Sequence, residues 1–385
     1  MQVIPELDAG GAERTTVDIA EALASVGVRA LVATEGGRLV GELQAKGGEW
    51  LPFPAASKNP AAMLMNVRAL AALIKKEKVD VVHARSRAPA WVALAATKWT
   101  RTPFLTTYHG SYSGKSPPKV LYNSVMARGD VVIANSEYTA QLIRSAHPFA
   151  APKIRVIPRG TDLSSFQATM VDHTRVLSLR EGWGVGPHER IVLLAARLTG
   201  WKGQRVLIDA AKIMVDQGLR DVAFLLAGDP QGREDYVKEL DALIISRGVA
   251  GVVRRVGHVV DMPAAMMAAA AIAVPSIEPE AFGRVAVEAQ AIGTPVVVSN
   301  LGAVPETVLA PPDVQPEART GWRVPPGDAM ALANALMQAL ALRPSARDSL
   351  AQRGRLHAET HFSLHQMVEK TLDVYSALIE QRSGR

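Results

Sequence analysis

Two carboxylates, Glu280 and Glu288, stand eight positions apart, with Gly283 between them where a helix can begin. That spacing leaves Glu280 in a loop and carries Glu288 about one and a half turns into the helix. Val285, Ala286, Val287, Ala289, Ala291 and Ile292 make the helix apolar around most of its circumference. Such a helix is expected to be buried, and a buried carboxylate needs partners. A ribose diol suits Glu288 as a two-oxygen acceptor, and sugar hydroxyls suit Glu280; a solvent-facing Glu288 is the alternative. Two cations, Arg197 and Lys202, lie five residues apart across a glycine-containing loop that follows an apolar run. A planar guanidinium fork and a compact ammonium can converge on a diphosphate. They would otherwise be two solvated surface charges.

Two further positions carry weaker signals. Gly10-Gly11-Ala12-Glu13-Arg14 joins a short first strand to a helix. Adjacent glycines allow close backbone approach, and a helix N-terminus favours negative charge, but such pairs also make plain tight turns. His109 follows the apolar run 104–108, where an imidazole can donate to a sugar hydroxyl or phosphate and can titrate near neutrality. His83, inside another apolar run, reads as a satisfied core histidine. There is no Asp-x-Asp pair, no His-Glu-x-x-His, no Gly-x-Ser-x-Gly and no Walker-type loop. Developing charge on a leaving diphosphate would then be met by Arg197, Lys202 and helix N-termini, without metal.

The elements that must hold these residues alternate. Short β-rich runs at 30–34, 79–84, 104–107, 130–134 and 154–157, then 191–195, 222–227, 252–256, 271–274 and 295–299, predict strands. Several are apolar throughout, as parallel strands covered on both faces require. Amphipathic stretches at 13–26, 61–78, 204–217, 234–247 and 283–292 predict the intervening helices. The fold class is therefore α/β with parallel sheets. The 385 residues suit two domains, with the boundary expected within 160–187. We expect a first domain at 1–170, a second at 171–362, and a final helix within 363–385. The segment 310–320, with three prolines, reads as an exposed loop.

Composition narrows the setting. Hydrophobic residues make up 48% and charged residues 21% of the chain, enough for a sizeable core. With no cysteine, disulfides, cysteine-ligated zinc and thiol nucleophiles are excluded, in keeping with a reducing compartment. No segment reads as a signal peptide, and no apolar run reaches the roughly 18–20 residues that span a bilayer. Residues 1–160 hold 20 Lys+Arg against 12 Asp+Glu, a balance of +8, while the remainder is nearly neutral. A basic first half suits an anionic membrane surface or a phosphorylated glycolipid, and equally plain solubility. In 61–78 an apolar stripe runs beside Lys75, Lys76 and Lys78, so the expected location is cytoplasmic, extending to the periphery of the inner membrane face. Nucleic acid is not an expected partner, since the basic residues are scattered and aromatics make up 5%.

Taken in order, the motifs resemble the retaining glycosyltransferases of family 4, which have the GT-B architecture. The resemblance runs through Gly10-Gly11-Ala-Glu-Arg, Val82-His-Ala-Arg85, Thr107-Tyr-His-Gly110, Ile133-Ala-Asn-Ser136 and Val156-Ile-Pro-Arg-Gly-Thr-Asp162. It continues through Arg197-Leu-Thr-Gly-Trp-Lys-Gly203, Leu226-Ala-Gly-Asp229 and the Glu280–Glu288 element. The wording Glu278-Pro-Glu-Ala-Phe-Gly-Arg284 is similar to members that build lipopolysaccharide core or other envelope glycans. The resemblance implies two Rossmann-like domains facing a cleft, the second binding a nucleotide-diphosphate sugar and the final helix returning to the first. It implies Arg197 and Lys202 on the diphosphate, Glu288 on the ribose, Glu280 on the donor sugar, and Phe282, Gly283 and Arg284 approaching sugar and phosphate. Gly10 and Gly11 would help hold diphosphate or acceptor, with His109 near the reacting sugar. The activity implied is metal-independent sugar transfer onto a glycolipid or glycan such as lipopolysaccharide core. A sugar-nucleotide epimerase of the same fold and a non-catalytic nucleotide-sugar-binding scaffold are the alternatives. Two departures stand out: the first strand, 2–5, is shorter than the usual apolar lead, and Arg159 occupies a position where relatives often carry Asn.

Overall fold

The computed structural model describes residues 1–8, 10–110, 112 and 116–383. By internal contacts the chain divides into two units, Met1–Gly160 with Leu364–Arg385, and Thr161–Ser363. The division falls earlier than the 170/171 junction expected from the loop-rich composition. Phe166 explains the shift, because it is buried in the core of the second unit, with Leu163 packed against that core, and draws the segment before 171 into it.

In the first unit seven strands form one parallel sheet in the order β3-β2-β1-β4-β5-β6-β7. They are β1 (Gln2–Val3), β2 (Leu31–Thr34), β3 (Glu49–Pro52), β4 (Val82–Ala84), β5 (Phe104–Tyr108), β6 (Val131–Ala134) and β7 (Ile154–Val156). In the second unit six strands form another parallel sheet, β10-β9-β8-β11-β12-β13. They are β8 (Arg190–Ala195), β9 (Val222–Ala227), β10 (Val253–Gly257), β11 (Ala271–Val274), β12 (Val296–Ser299) and β13 (Trp322–Val324). These are two Rossmann-like α/β domains. The apolar runs become central strands because residues such as Leu193, Phe224 and Ile272 must be buried on both sheet faces.

Both sheets reverse their strand order once, and the reversal fixes where ligands can enter. In unit 1 the order turns between β1 and β4, and in unit 2 between β8 and β11. Loops leaving the carboxyl ends of such adjacent strands diverge and leave a crevice. Gly10, Gly11 and Arg85 follow the first pair, and Arg197, Lys202 and Glu280 follow the second.

Helices start where the sequence supplies caps. Ser136 accepts from Thr139 N at 3.0 Å and opens the helix Glu137–Ala146. Ser136→Ala is expected to cost about 1 kcal/mol, measured as a lower midpoint of urea unfolding with unchanged slope. The final helix expected within 363–385 is Leu364–Ser383. Its Met367, Tyr375 and Leu378 are buried with Ile19, Val81, Leu105 and Ile133 of the first unit. No helix among the described residues is long and apolar enough to cross a membrane.

Candidate active site

In unit 2 the loops after β8 and β11 lie against each other. Gly203 has φ of +77°, and a Cβ there would sit 1.9 Å from the carbonyl oxygen of Pro275. Only glycine allows that approach. Ile277 N donates to Trp201 O at 2.8 Å across the same seam. Gln204, fully buried, donates to Arg197 O at 2.9 Å and accepts from Tyr236 OH at 3.1 Å. The seam thus fixes the backbone that carries both cations.

Lys202 and Glu280, assigned by sequence to different parts of a ligand, meet here. Lys202 Nζ lies 2.8 Å from Glu280 Oε1, with both side chains largely buried. Ser276 Oγ donates to the same oxygen at 2.5 Å. Both contacts fall on Oε1. Lys202 Nζ also sits 4.2 Å from the centroid of the Trp201 ring, a cation–π contact that restrains the ammonium. With three N–H donors, Lys202 keeps capacity for a further acceptor. Glu280 is held through its backbone as well: its carbonyl accepts from Ala303 N at 2.8 Å, and it bridges to Gly302.

The helix Arg284–Ile292 begins after Gly283, whose φ is +85°. Glu288 is 7% exposed, so the expectation of a buried carboxylate agrees with its placement. Arg284 Nε lies 3.1 Å from Glu288 Oε1, one turn away. Phe282 is buried edge-on against Phe362, with centroids 5.5 Å apart, so its ring serves the core and only its backbone can face a ligand. Arg197 is exposed at the end of β8 and makes no ion pair among the described residues, which leaves its guanidinium unneutralised. Trp201, Arg205, Tyr236 and Glu278 line an open depression beside this seam. There Thr199 Oγ1 is buried without a partner among the described residues.

In unit 1 the helix Gly11–Ser25 starts after Gly10. A Cβ at Gly11 would lie 1.8 Å from Arg159 Nη2, so the unusual Arg159 packs on the bare backbone of Gly11. His109 follows β5, and its Nε2 is buried without a partner among the described residues. Burial first, then Arg85 and Arg159, hold its pKa well below the usual imidazole value, so His109 is neutral at pH 7. His83 is buried, with Nδ1 at 2.7 Å from Tyr375 OH and Nε2 at 2.7 Å from Thr107 Oγ1. It is a satisfied core histidine.

Arg85 and Asn135 were singled out by no chemical argument from sequence. Each directly follows a strand, β4 or β6, and polar residues at strand carboxyl ends were the available signal. Among the described residues no group of three or more His, Cys, Asp or Glu could hold a metal ion.

The sequence pattern of Glycosyltransferase Family 4 matches residues 9–165, and that of Glycosyl transferases group 1 matches 178–357. The D-inositol 3-phosphate glycosyltransferase of Jonesia denitrificans is 31% identical over 300 residues, covering 73% of this chain and 68% of the relative. The chain belongs to glycosyltransferase family 4. This family 4 enzyme also superposes on a solved glycosyltransferase from Rickettsia africae with a TM-score of 0.88 and 31% identity, over 98% of each chain. The Anabaena protein HepE, solved in complex with UDP-glucose, gives a TM-score of 0.79 and 26% identity over 98% of each chain. The chain is therefore a glycosyltransferase of GT-B fold, and the two matched patterns fall one on each unit.

Proposed function

We propose that this glycosyltransferase transfers a sugar with retention, and without a metal, from a nucleotide-diphosphate sugar bound by unit 2 to an acceptor bearing anionic groups. The observation that carries the reading is the Lys202–Glu280 pair at the β8/β11 crevice, with an exposed, unneutralised Arg197 earlier in the same loop after β8. The UDP-glucose bound by HepE supports a uridine donor. Arg197 and Lys202 take the diphosphate oxygens, Glu280 takes hydroxyls of the transferred sugar, and Glu288 takes the ribose. Gly283 and Arg284 offer backbone groups to the sugar and phosphate. As the bond from the anomeric carbon to the phosphate oxygen breaks, charge gathers on the diphosphate, where the two cations stabilise it most. The acceptor hydroxyl attacks from the same face and passes its proton to the departing phosphate oxygen.

Unit 1 is assigned the acceptor, with Gly10 and Gly11 at its helix N-terminus and neutral His109 as a hydrogen-bonding group. Its +8 balance over residues 1–160 favours a negatively charged acceptor. The Jonesia relative's name gives a phosphorylated polyol, whereas the wording around Glu280 suggests a glycolipid such as lipopolysaccharide core at the membrane face. We expect nucleoside diphosphate release from a UDP-, GDP- or ADP-sugar, accelerated by inositol 3-phosphate or by a core glycolipid, and unchanged by EDTA. Loss of activity in EDTA, restored by a divalent ion, contradicts metal independence. Turnover of no donor in that panel contradicts the reading as a whole.

A further inference from the structure

The carboxyl ends of β4, β5, β6 and β7 in unit 1 surround a small cavity lined by His83, Arg85, Thr107, His109, Asn135 and Arg159. Three atoms on its wall, Arg85 Nη2, His109 Nε2 and Asn135 Oδ1, are buried without partners among the described residues. Leaving such atoms unsatisfied is costly, and a buried cation is the most expensive of them. Arg85 is 3% exposed and forms no ion pair with a carboxylate among the described residues. Its Nε donates to Gln2 Oε1 at 2.6 Å, and the hydroxyl of Tyr375 from the final helix is close enough to favour its charged form.

The three atoms specify what can satisfy them. An arginine N–H only donates, a carbonyl oxygen only accepts, and a neutral imidazole nitrogen can do either. An oxyanion answers Arg85 but is repelled by Asn135 Oδ1, whose amide nitrogen faces the His109 carbonyl at 3.4 Å. A water answers all three, and buried waters make about three hydrogen bonds. The room is about 20 Å³, above the roughly 10–15 Å³ that one water requires and far too small for a phosphate or a sugar ring.

We propose that Arg85 is a positioning residue for His109, acting through one buried water held between Arg85 Nη2, His109 Nε2 and Asn135 Oδ1, and that Tyr375 anchors Arg85 from the final helix. The water holds the imidazole in one rotamer. The groups whose charge bears on His109 are Arg85 and Arg159, both cationic, with His83 across the same cavity. Asp18 and Tyr375 act on Arg85 in turn. Removing the Arg85 charge therefore shifts His109 towards protonation. The inference rests on assigning the acceptor side of the reaction to unit 1, but its main test does not use turnover.

The test is ring-carbon NMR of selectively labelled histidines in the full chain, with the His109 signal assigned by its loss in His109→Gln. In the wild type that signal keeps its neutral shift through mildly acidic pH. In Arg85→Met it titrates at higher pH, and Arg85→Lys, which keeps the charge, restores the wild-type curve. With a working donor, Arg85→Met lowers kcat roughly 10- to 100-fold through misplacement and changes donor KM less than twofold. An unchanged His109 titration in a folded Arg85→Met overturns the inference. If that variant does not fold, a high-resolution crystal structure of the wild type decides. A water within hydrogen-bond distance of all three atoms supports the inference, and direct pairing of Arg85 Nη2 with a protein carboxylate overturns it.

Discussion

Lys202→Ala is expected to lower kcat for sugar transfer about 100- to 1000-fold, the usual loss when one preorganised donor to transition-state charge is removed. Lys202 is restrained on three sides, by Glu280 Oε1 at 2.8 Å, by the Trp201 ring and by the Gly203 turn. Little reorganisation is then needed when charge appears on the diphosphate. The pair also sets a competition, because an arriving diphosphate must share the ammonium with Glu280. On the proposed reading, sugar hydroxyls on Oε2 would offset that loss by hydrogen bonding to the carboxylate's other lone pairs. Glu280→Ala is therefore expected to fall by a similar factor, and Lys202→Ala/Glu280→Ala by less than the product of the two. Removing one partner of a largely buried pair also costs stability, about 3–5 kcal/mol. Urea unfolding measured alongside the kinetics separates the two effects. A folded Lys202→Ala enzyme that keeps more than half of wild-type kcat contradicts the assignment.

Gly203→Ala should be the most damaging small substitution in unit 2. The new methyl meets the Pro275 carbonyl at 1.9 Å, on a backbone held at φ +77°. Neither partner is a flexible side chain, so the two loops must part. Overpacking and left-handed strain each cost about 1–3 kcal/mol, and the sum lowers Tm by several degrees or more in a domain of this size. Parting the loops also displaces Lys202, the next residue back, so activity is lost beyond what instability explains. Gly182, where a Cβ meets nothing within 4 Å, is the control, and Gly182→Ala leaves both readings unchanged. A melting point equal to wild type in Gly203→Ala contradicts the close approach of the two loops.

The central strands were legible because burial on both faces forces continuous apolar runs. The readings at 222–227 and 271–274 coincide with β9 and β11. β3 and β13 were not read. Both are edge strands, and β3 is only half-buried, so Glu49-Trp50-Leu51-Pro52 lacks both the apolar run and a clean alternation. The helix Arg87–Thr100 was also missed, since its alanines give little periodic contrast. Within the site, the residue types in each loop were readable, but their pairing was not. Lys202 and Glu280 meet only because β8 and β11 are neighbours in the sheet, a fact of strand order that spacing along the chain does not contain. Arg85, quoted only as the end of a motif, drew no chemical reading for the same reason, because an arginine after a three-residue strand looks like any surface charge until its burial is seen.

The account stands on capture of a diphosphate by the unit 2 cations, and titration calorimetry tests that most directly. UDP, GDP and ADP are titrated into the wild type, Arg197→Ala, Lys202→Ala and Lys212→Ala. One nucleotide should bind the wild type, and binding should weaken about 10- to 100-fold in the first two variants, the worth of a charge-assisted hydrogen bond. Lys212, paired with Asp216 further along the helix Gln204–Asp216, should leave the affinity within twofold. Equal affinity in all four proteins, or no binding of any diphosphate to the wild type, contradicts the account.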